Sequence, residues 1–180
     1  MPRVSELSAD HLADDARQIY HRFITDYGPF ESQAKVFAHR PPALRHLMGL
    51  LLELADEAVL DKRYLEIVLV TVSTINACDY CITHHGPRLT GLGFQSDTAE
   101  RILDDVVPGF DDVDTLVRDY ARQVTESAQN MRDVTFENLH KHFSEEQIVE
   151  LTLRIALCGF FNRFNDALQI GMEDGNEALE

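Results

Sequence analysis

Hydrophobic residues recur along the chain at intervals of three and four, the spacing that places side chains on one side of an α-helix. The pattern is clearest over positions 111–128, where a single apolar side is predicted: Val113, Leu116, Val117, Tyr120, Ala121, Val124 and Ala128. Alternation of apolar and polar residues, which is typical of a half-buried strand, is scarce. The sequence therefore predicts an all-α fold.

Polar residues before the apolar segments mark helix starts. Asp61 can cap a helix that is apolar almost continuously from Leu65 to Val72, so both of its sides should be buried. Asp111 can cap the amphipathic helix, and Ser144 with Gln147 has the spacing of a capping box before the last long helix.

Three further boundaries follow from turn-forming residues. Ser73–Asn76 reads as a break, with Asn76 or a neighbour capping a helix that begins near Cys78 and stops at Gly91 or Gly93. Pro87 lies inside this helix and favours a kink or an end near Gly86. Asp97–Glu100 has capping-box spacing and predicts a short helix that Pro108–Gly109 ends.

The chain has 180 residues, 44% of them hydrophobic, which suits one domain with a substantial core. We expect a single all-helical domain with an N-terminal helical extension (1–40), a core region (41–93) and C-terminal helices (94–180). No low-complexity tract or linker divides it.

The charge balance excludes some partners. Lys and Arg total 16 against 31 Asp and Glu, a formal charge of -15, so binding to a phosphate backbone is disfavoured. No apolar run approaches the roughly 20 residues of a membrane helix, and the start lacks the cationic and apolar segments of a secretory signal. We expect a cytoplasmic protein that binds neither nucleic acid nor membrane.

Chemistry is concentrated in positions 76–85, which hold Cys78, Cys81, His84 and His85. On a helix, Cys81 lies about 60° from Cys78 and His85 only about 20° from it, because each residue turns about 100°. Cys81 and His85 are also four residues apart, the spacing at which helical side chains touch. An imidazole there could take the thiol proton and leave a reactive thiolate.

Three alternative interpretations of the two thiols are weaker. Both could be small buried hydrophobic residues, but that leaves their spacing unexplained. A structural zinc site needs four ligands, and no second ligand pair is evident. Covalent haem attachment requires histidine directly after the second cysteine, and Ile82 stands there. A redox dithiol on a helical scaffold fits best.

Glu66, the CxxC of Cys78 and Cys81, and then His85 together resemble the alkylhydroperoxidase D-like branch of the carboxymuconolactone decarboxylase superfamily. The likeness covers Pro41 to about Gly93. The closing segment Phe160-Phe161-Asn162-Arg163-Phe164 is similar to the family's final helix.

The resemblance implies an all-helical protein that assembles into a trimer or hexamer. It also implies roles for four residues. Cys81 would be the peroxidatic thiolate, Cys78 would resolve its sulfenic acid, His85 would be the base, and Glu66 would orient or recharge His85.

The same resemblance implies no bound cofactor and no metal. The redox centre would be a Cys78–Cys81 disulfide that an external dithiol reduces. The expected partners are an organic hydroperoxide or a disulfide as substrate, and a dihydrolipoamide-type or protein thiol donor or a peroxiredoxin.

Some residues near the motif depart from the family or have open roles. Tyr80 stands where some members have histidine, and His84 could supply a proton or be a surface side chain. Asp79 opposes formation of a thiolate beside it.

Three residues outside the motif also need an interpretation. The carboxylate of Glu66 could instead form a structural ion pair with an arginine such as Arg163. Cys158 reads as a core residue. Asn162 and Arg163 read as packing or subunit-interface residues.

The functional prediction is a CxxC-dependent hydroperoxide reductase or a thiol–disulfide oxidoreductase. Two alternatives come from different classes of protein. One is a carboxymuconolactone decarboxylase-like lyase that does not use redox thiols, and the other is a redox-sensing or metal-binding module.

Overall fold

The computed structural model describes residues 2–173, and this part of the chain is helical with no β-strand, which confirms the all-α prediction. Short 3₁₀ segments (Ala9–His11, Ala128–Asn130) and π-helical turns (Phe23–Tyr27, Leu44–Met48) adjoin the α-helices. None of the helices described is long and apolar enough to cross a membrane. The α-helices are α1 (Asp14–Arg22), α2 (Glu31–Phe37), α3 (Pro41–Ala43), α4 (Gly49–Glu57), α5 (Lys62–Ile75), α6 (Asp79–Gly91), α7 (Asp112–Ser127), α8 (Asp133–Leu139) and α9 (Glu145–Leu168).

The chain forms two compact units. The first comprises the described parts of 1–58 and 165–180, and the second comprises 59–164. The expectation of a single domain stays a prediction, because compactness alone does not establish that either unit folds by itself.

Aromatic packing and polar contacts hold the first unit together. Phe23 is fully buried, and its ring stacks on Tyr27 with the centroids 4.8 Å apart. Gln33 Nε2 donates to Asn165 Oδ1 at 2.8 Å, so this buried amide has a partner. Arg3 joins the two chain segments of the unit by donating its backbone N–H to Leu168 O at 2.9 Å.

The second unit is built around α5, which packs against α6 and α7. Every residue of α5 from Glu66 to Ser73 is buried, which confirms that both sides of this helix meet protein. The largest fully buried side chains of this core come from several helices and from the segment between α6 and α7: Ile67, Val68, Leu89, Ile102, Tyr120, Leu139, Leu151 and Ile155.

The predicted helix caps of this unit are present. Asp61 Oδ1 accepts from Arg63 N at 2.7 Å, and Asp111 forms a capping box with Asp114. Ser144 Oγ accepts from the backbone N–H of Gln147 at 3.2 Å, and Gln147 Oε1 accepts from that of Ser144 at 3.0 Å. Side-chain acceptors thus satisfy amide groups that the helices leave unbonded.

The helix predicted from Asp97 to Pro108 is wrong, since this segment forms a series of turns. Arg118 provides the physical reason. Its Nη1 donates to the carbonyl oxygens of Ile102 at 2.9 Å and Asp104 at 2.6 Å. A side chain from α7 therefore satisfies two backbone acceptors of this segment without a helix. The oxygen of Asp104 has no helical donor in any case, because Pro108 four residues later lacks an N–H.

The predicted break at Ser73–Asn76 is also misplaced. Helix α5 continues through Ile75, where Asn76 is its C-cap, and the residue at the N-cap of α6 is Cys78. Thr71 and Thr74 return their hydroxyls to carbonyls one turn earlier, at 2.7 and 2.9 Å, so these polar side chains are satisfied inside the helix.

Helix α6 begins and ends close to the predicted positions, running from Asp79 to Gly91. It does not end early at Gly86, because it continues through Pro87. Leu89 is fully buried beyond the proline. Burial of an apolar side chain there offsets part of the cost of the missing amide donor.

Candidate active site

The site begins at the tight connection between α5 and α6. Ala77 has a φ of +54°, in the left-handed region, and the backbone N–H of Cys78 donates to Ser73 O at 2.9 Å. The chain therefore leaves α5 and enters α6 within three residues. This places Cys78 at the N-cap of α6 and Cys81 in its first turn. The positive end of the helix dipole there stabilises negative charge on sulfur.

The two thiols of the motif lie side by side. The Cys78 thiol donates to Cys81 Sγ at 3.1 Å. Cys78 is fully buried and Cys81 is 5% exposed. The structure shows the pair as two thiols rather than as a disulfide. Their separation means that only a small movement is needed to join them.

Glu66 reaches the site from α5, as the resemblance implies. Its Oε2 lies 2.7 Å from His85 Nδ1, and both side chains are buried. The structure therefore pairs Glu66 with His85 and Cys78 with Cys81 on two adjoining helices. The contact between Cys81 and His85 that their spacing predicts stays a prediction.

Arg88 is a residue of the site that the sequence analysis did not identify. Its Nη1 donates to Glu66 Oε1 at 3.3 Å, so Arg88, not Arg163, supplies the ion pair with this carboxylate. Arg163 donates to Gly159 O at 2.7 Å instead. The signal available was helical spacing, because Arg88 follows His85 by three residues and therefore shares its face of α6.

The charge on Glu66 follows from these contacts. Burial alone would raise the pKa of this carboxyl, but His85 and Arg88 outweigh it, and its pKa lies below the ordinary value. Glu66 is consequently ionised at neutral pH. An ionised carboxylate accepts the proton of His85 Nδ1–H in their hydrogen bond, which leaves the lone pair of the ring on Nε2.

Tyr80 and His84 pack against each other next to the thiols. Their ring centroids are 4.3 Å apart, and His84 Nδ1 lies 2.6 Å from the backbone oxygen of Tyr80. His84 is 4% exposed, so its interpretation as a surface side chain is wrong. Asp79, in contrast, is exposed to solvent, where water screens its effect on the thiols.

Cys158 is a buried residue of the core, as predicted. Its Sγ lies 3.4 Å from Ser73 Oγ and 3.5 Å from Leu69 O. Burial raises the pKa of the Cys158 thiol to about 12, although the Ser73 hydroxyl opposes part of that rise. Cys158 is therefore protonated at neutral pH and is a poor nucleophile.

Asn162 and Arg163 differ in their surroundings. Asn162 is fully buried against the end of α5, and its Oδ1 accepts from Asn76 Nδ2 at 2.9 Å. Arg163 is exposed.

Within residues 2–173, no group of three or more His, Cys, Asp and Glu side chains is placed to hold a metal ion.

Solved structures of other proteins share this fold. One is the alkylhydroperoxidase AhpD core of an uncharacterized peroxidase-related protein from Ralstonia eutropha JMP134. It has a TM-score of 0.78 and 22% identity to this chain, and the match covers 97% of this chain and 94% of that protein's chain. A peroxidase-related protein from Silicibacter sp. TM1040 has a TM-score of 0.65 and 18% identity over 96% and 90% of the two chains. A variant of the debrominase Bmp8 in complex with 2,3,4-tribromopyrrole has a TM-score of 0.75 and 17% identity over 96% and 92%.

Sequence comparison identifies the central region more directly. No curated protein matches the chain significantly, but the model of the carboxymuconolactone decarboxylase family matches residues 41–110. The match includes Glu66, both cysteines of the motif, His85 and Arg88. Residues 41–110 thus match the carboxymuconolactone decarboxylase family, and the chain has the alkylhydroperoxidase D-like fold.

Proposed function

We propose that this protein is a CxxC-dependent hydroperoxide reductase that is recycled by thiol–disulfide exchange. One observation carries the proposal. A buried dithiol with its sulfur atoms 3.1 Å apart lies at the start of the helix that also presents His85, and an ionised Glu66 holds this histidine at 2.7 Å. The arrangement combines a nucleophile, a second thiol, a base and a group that orients the base.

In the first step, His85 Nε2 takes the proton of the Cys81 thiol. The thiolate attacks the terminal oxygen of an organic hydroperoxide, and the O–O bond breaks. His85 returns the proton to the departing alkoxide, which leaves as an alcohol. Sulfur has been oxidised to a sulfenic acid, and the peroxide has been reduced by two electrons.

In the second step, the sulfur of Cys78 attacks the Cys81 sulfenic acid. An S–S bond forms, and the sulfenic OH group leaves as water together with the thiol proton of Cys78. An external dithiol then exchanges with this disulfide and is itself oxidised. The complete cycle converts a hydroperoxide and a dithiol into an alcohol, water and a disulfide.

The order of the two sulfurs is supported by their positions in α6. Cys81 shares the helix with His85 at a spacing of four residues, whereas Cys78 lies at the N-cap before the helix. Cys81 is therefore the attacking sulfur of the proposal.

The electron donor in this proposal is a dihydrolipoamide-type dithiol or a protein thiol, and a peroxiredoxin is a further candidate partner. A thiol–disulfide oxidoreductase without peroxidase activity would use the same disulfide with a disulfide substrate.

We also infer that the protein forms a homo-oligomer through the exposed side of α9. Val149 is 66% exposed and Phe160 is 42% exposed, and large apolar side chains open to water on one helix favour association.

Purified protein mixed with cumene hydroperoxide and dihydrolipoamide tests the proposed reaction. We expect peroxide consumption by the wild type and none above background by Cys81→Ser. Cys78→Ser should react once and accumulate a sulfenic acid that dimedone labels. Cys158→Ala is the matched control, and it should keep its activity because this thiol is buried and protonated.

Two results would change the assignment. If reduced wild-type protein consumes no peroxide, the peroxidase is refuted, and continued cycling of the disulfide with a dithiol would leave the exchange activity. A fully active Cys81→Ser protein would refute the role of Cys81. Activity on a lactone acid that is indifferent to alkylation of the thiols would favour the lyase alternative instead.

A further inference from the structure

The turn that carries Cys78 is strained. Ala77 adopts the left-handed conformation at φ +54°, which costs a residue with a β-carbon about 1 kcal/mol or more. Such a conformation persists only when its surroundings hold it in place. The backbone of the turn supplies part of this hold, because the N–H groups of Ala77 and Cys78 donate to Thr74 O and Ser73 O. Side chains that bind the residues of the turn add to it.

From α9, Asn162 binds the end of α5, which leads into the turn. Its Nδ2 donates to Ser73 Oγ at 3.2 Å, and its Oδ1 accepts from Asn76 Nδ2 at 2.9 Å. The backbone carbonyl oxygen of the same Ser73 accepts the N–H of Cys78 at 2.9 Å. One buried amide thus joins the residue that precedes Ala77 to the residue that anchors Cys78.

These contacts use the specific chemistry of an amide. A primary amide donates through nitrogen and accepts through oxygen, and Asn162 does both, toward Ser73 in the last turn of α5 and toward Asn76 at its C-cap. The side chain is fully buried on a helix that also buries apolar side chains, such as Leu151 and Ile155. A residue that served only packing would need neither bond, and burying the amide without partners would be unfavourable.

We propose that Asn162 is a positioning residue, which fixes the 76–78 turn so that the Cys78 sulfur stays within reach of Cys81. This role rests on the proposed dithiol function. In that reaction, Asn162 touches neither the peroxide nor the reacting sulfurs of Cys78 and Cys81. It acts through Asn76 and Ser73, and its effect is on how readily the two sulfurs close into a disulfide.

The predicted effect is on the disulfide equilibrium. Two thiols that are held 3.1 Å apart close with a high effective concentration. Without the hydrogen bonds of Asn162, Ala77 can relax toward an ordinary conformation and Cys78 can move away. A loss of roughly tenfold in the closure equilibrium corresponds to a reduction potential about 30 mV less negative, since the couple transfers two electrons.

The test measures the reduction potential of the Cys78/Cys81 pair in the full-length protein. Wild type, Asn162→Leu and Asn76→Ala are equilibrated with dithiothreitol redox buffers, and the disulfide fraction is read by alkylation and mass spectrometry. Asn76→Ala removes the same hydrogen bond at a half-buried position, so it covers the case in which Asn162→Leu fails to fold. Both variants should shift the potential by roughly 30 mV toward less negative values.

Asn165→Leu is the matched control. Asn165 is also a buried asparagine of α9, but its Oδ1 accepts from Gln33 instead. We expect this variant to lose stability and to keep the wild-type potential. The double variant of Asn76 and Asn162 should shift the potential no further than Asn162→Leu alone, because the bond that Asn76→Ala removes is already lost in that variant.

Potentials that are unchanged in folded Asn162→Leu or Asn76→Ala protein would overturn the proposal, as would an equal shift in Asn165→Leu. The measurement uses no peroxide. A protein that fails to reduce hydroperoxides but shows the expected shifts would refute the peroxidase and keep the positioning role of Asn162. Peroxidase activity in the wild type with unshifted potentials in the variants would support the peroxidase and refute the positioning role of Asn162.

Discussion

Replacement of Glu66 by glutamine removes one negative charge from the centre of the site while it keeps the size of the side chain. Glu66 is 5% exposed and accepts hydrogen bonds from His85 at 2.7 Å and Arg88 at 3.3 Å. A glutamine in its place is not charged. Its NH₂ group would face a donor group of His85 or Arg88, from which the carboxylate now accepts a hydrogen bond. We expect Glu66→Gln to be less stable than the wild type at neutral pH.

The magnitude follows from the contacts. A hydrogen bond to a charged group contributes about 1.5–3 kcal/mol. Arg88 keeps 29% of its side chain exposed, so water can replace most of what it loses. The buried contact with His85 therefore dominates, and the expected loss in the free energy of unfolding is about 2 kcal/mol.

The loss should depend on pH in a defined direction. The pKa of Glu66 in the folded protein lies below its ordinary value of 4.5, because His85 and Arg88 outweigh burial. The stabilisation by its charge is complete above pH 4.5 and disappears as the pH falls through the lower pKa of the folded state. Wild type and variant should thus converge in acid.

Urea unfolding followed by circular dichroism between pH 7 and pH 3 measures this difference. With a slope of about 2 kcal/mol per molar urea, the midpoint of Glu66→Gln at pH 7 should lie about 1 M lower. Glu137→Gln at an exposed position of α8 is the control and should match the wild type. Equal midpoints for Glu66→Gln and wild type at pH 7, or a difference that is the same at every pH, would refute the reasoning.

Two further predictions concern Arg88 and the exposed side of α9. Arg88→Met removes a cation that lowers the pKa of Glu66, so the acid limb of the pH–rate profile of the proposed hydroperoxide reduction should move to higher pH. A limb that superimposes on that of the wild type would contradict this. Phe160→Glu places a charge on the apolar side of α9 and should lower the mass measured by light scattering. A monomeric wild type at micromolar concentration would refute the proposed interface, and Glu137→Gln is again the control.

Local patterns predicted the helices where the apolar spacing and the cap agreed. Asp111 and Ser144 cap helices whose buried side chains recur with the helical period, and both helices are present. Asp97–Glu100 had the cap spacing, but the segment formed turns, in which Arg118 from α7 binds the backbone oxygens of Ile102 and Asp104. That contact joins residues 14 and 16 positions apart, and no local pattern encodes it.

The site was predictable to the extent that it lies on one helix. The spacing of Cys81 and His85 is a property of α6, and helical geometry places these side chains on one side of it without knowledge of the rest of the fold. Cys78 lies at the N-cap in an extended conformation, so the helical spacing predicted its neighbourhood but not its side-chain direction. Glu66 came from the resemblance, and only the packing of α5 on α6 shows that it reaches His85. Asn162 was interpreted as a packing residue, because nothing local shows that α9 meets the 76–78 turn.

The contacts of Glu66 also bear on how the proton moves in the proposed reaction. The resemblance leaves Glu66 either to orient His85 or to recharge it by proton transfer. A carboxylate with a lowered pKa and a second cation at 3.3 Å is a poor proton acceptor from imidazolium. The proton from Cys81 therefore stays on His85, where the departing alkoxide can take it back. The geometry favours Glu66 as a fixed negative charge that orients His85. Arg88 helps to keep Glu66 ionised, because it lowers the pKa of this carboxyl.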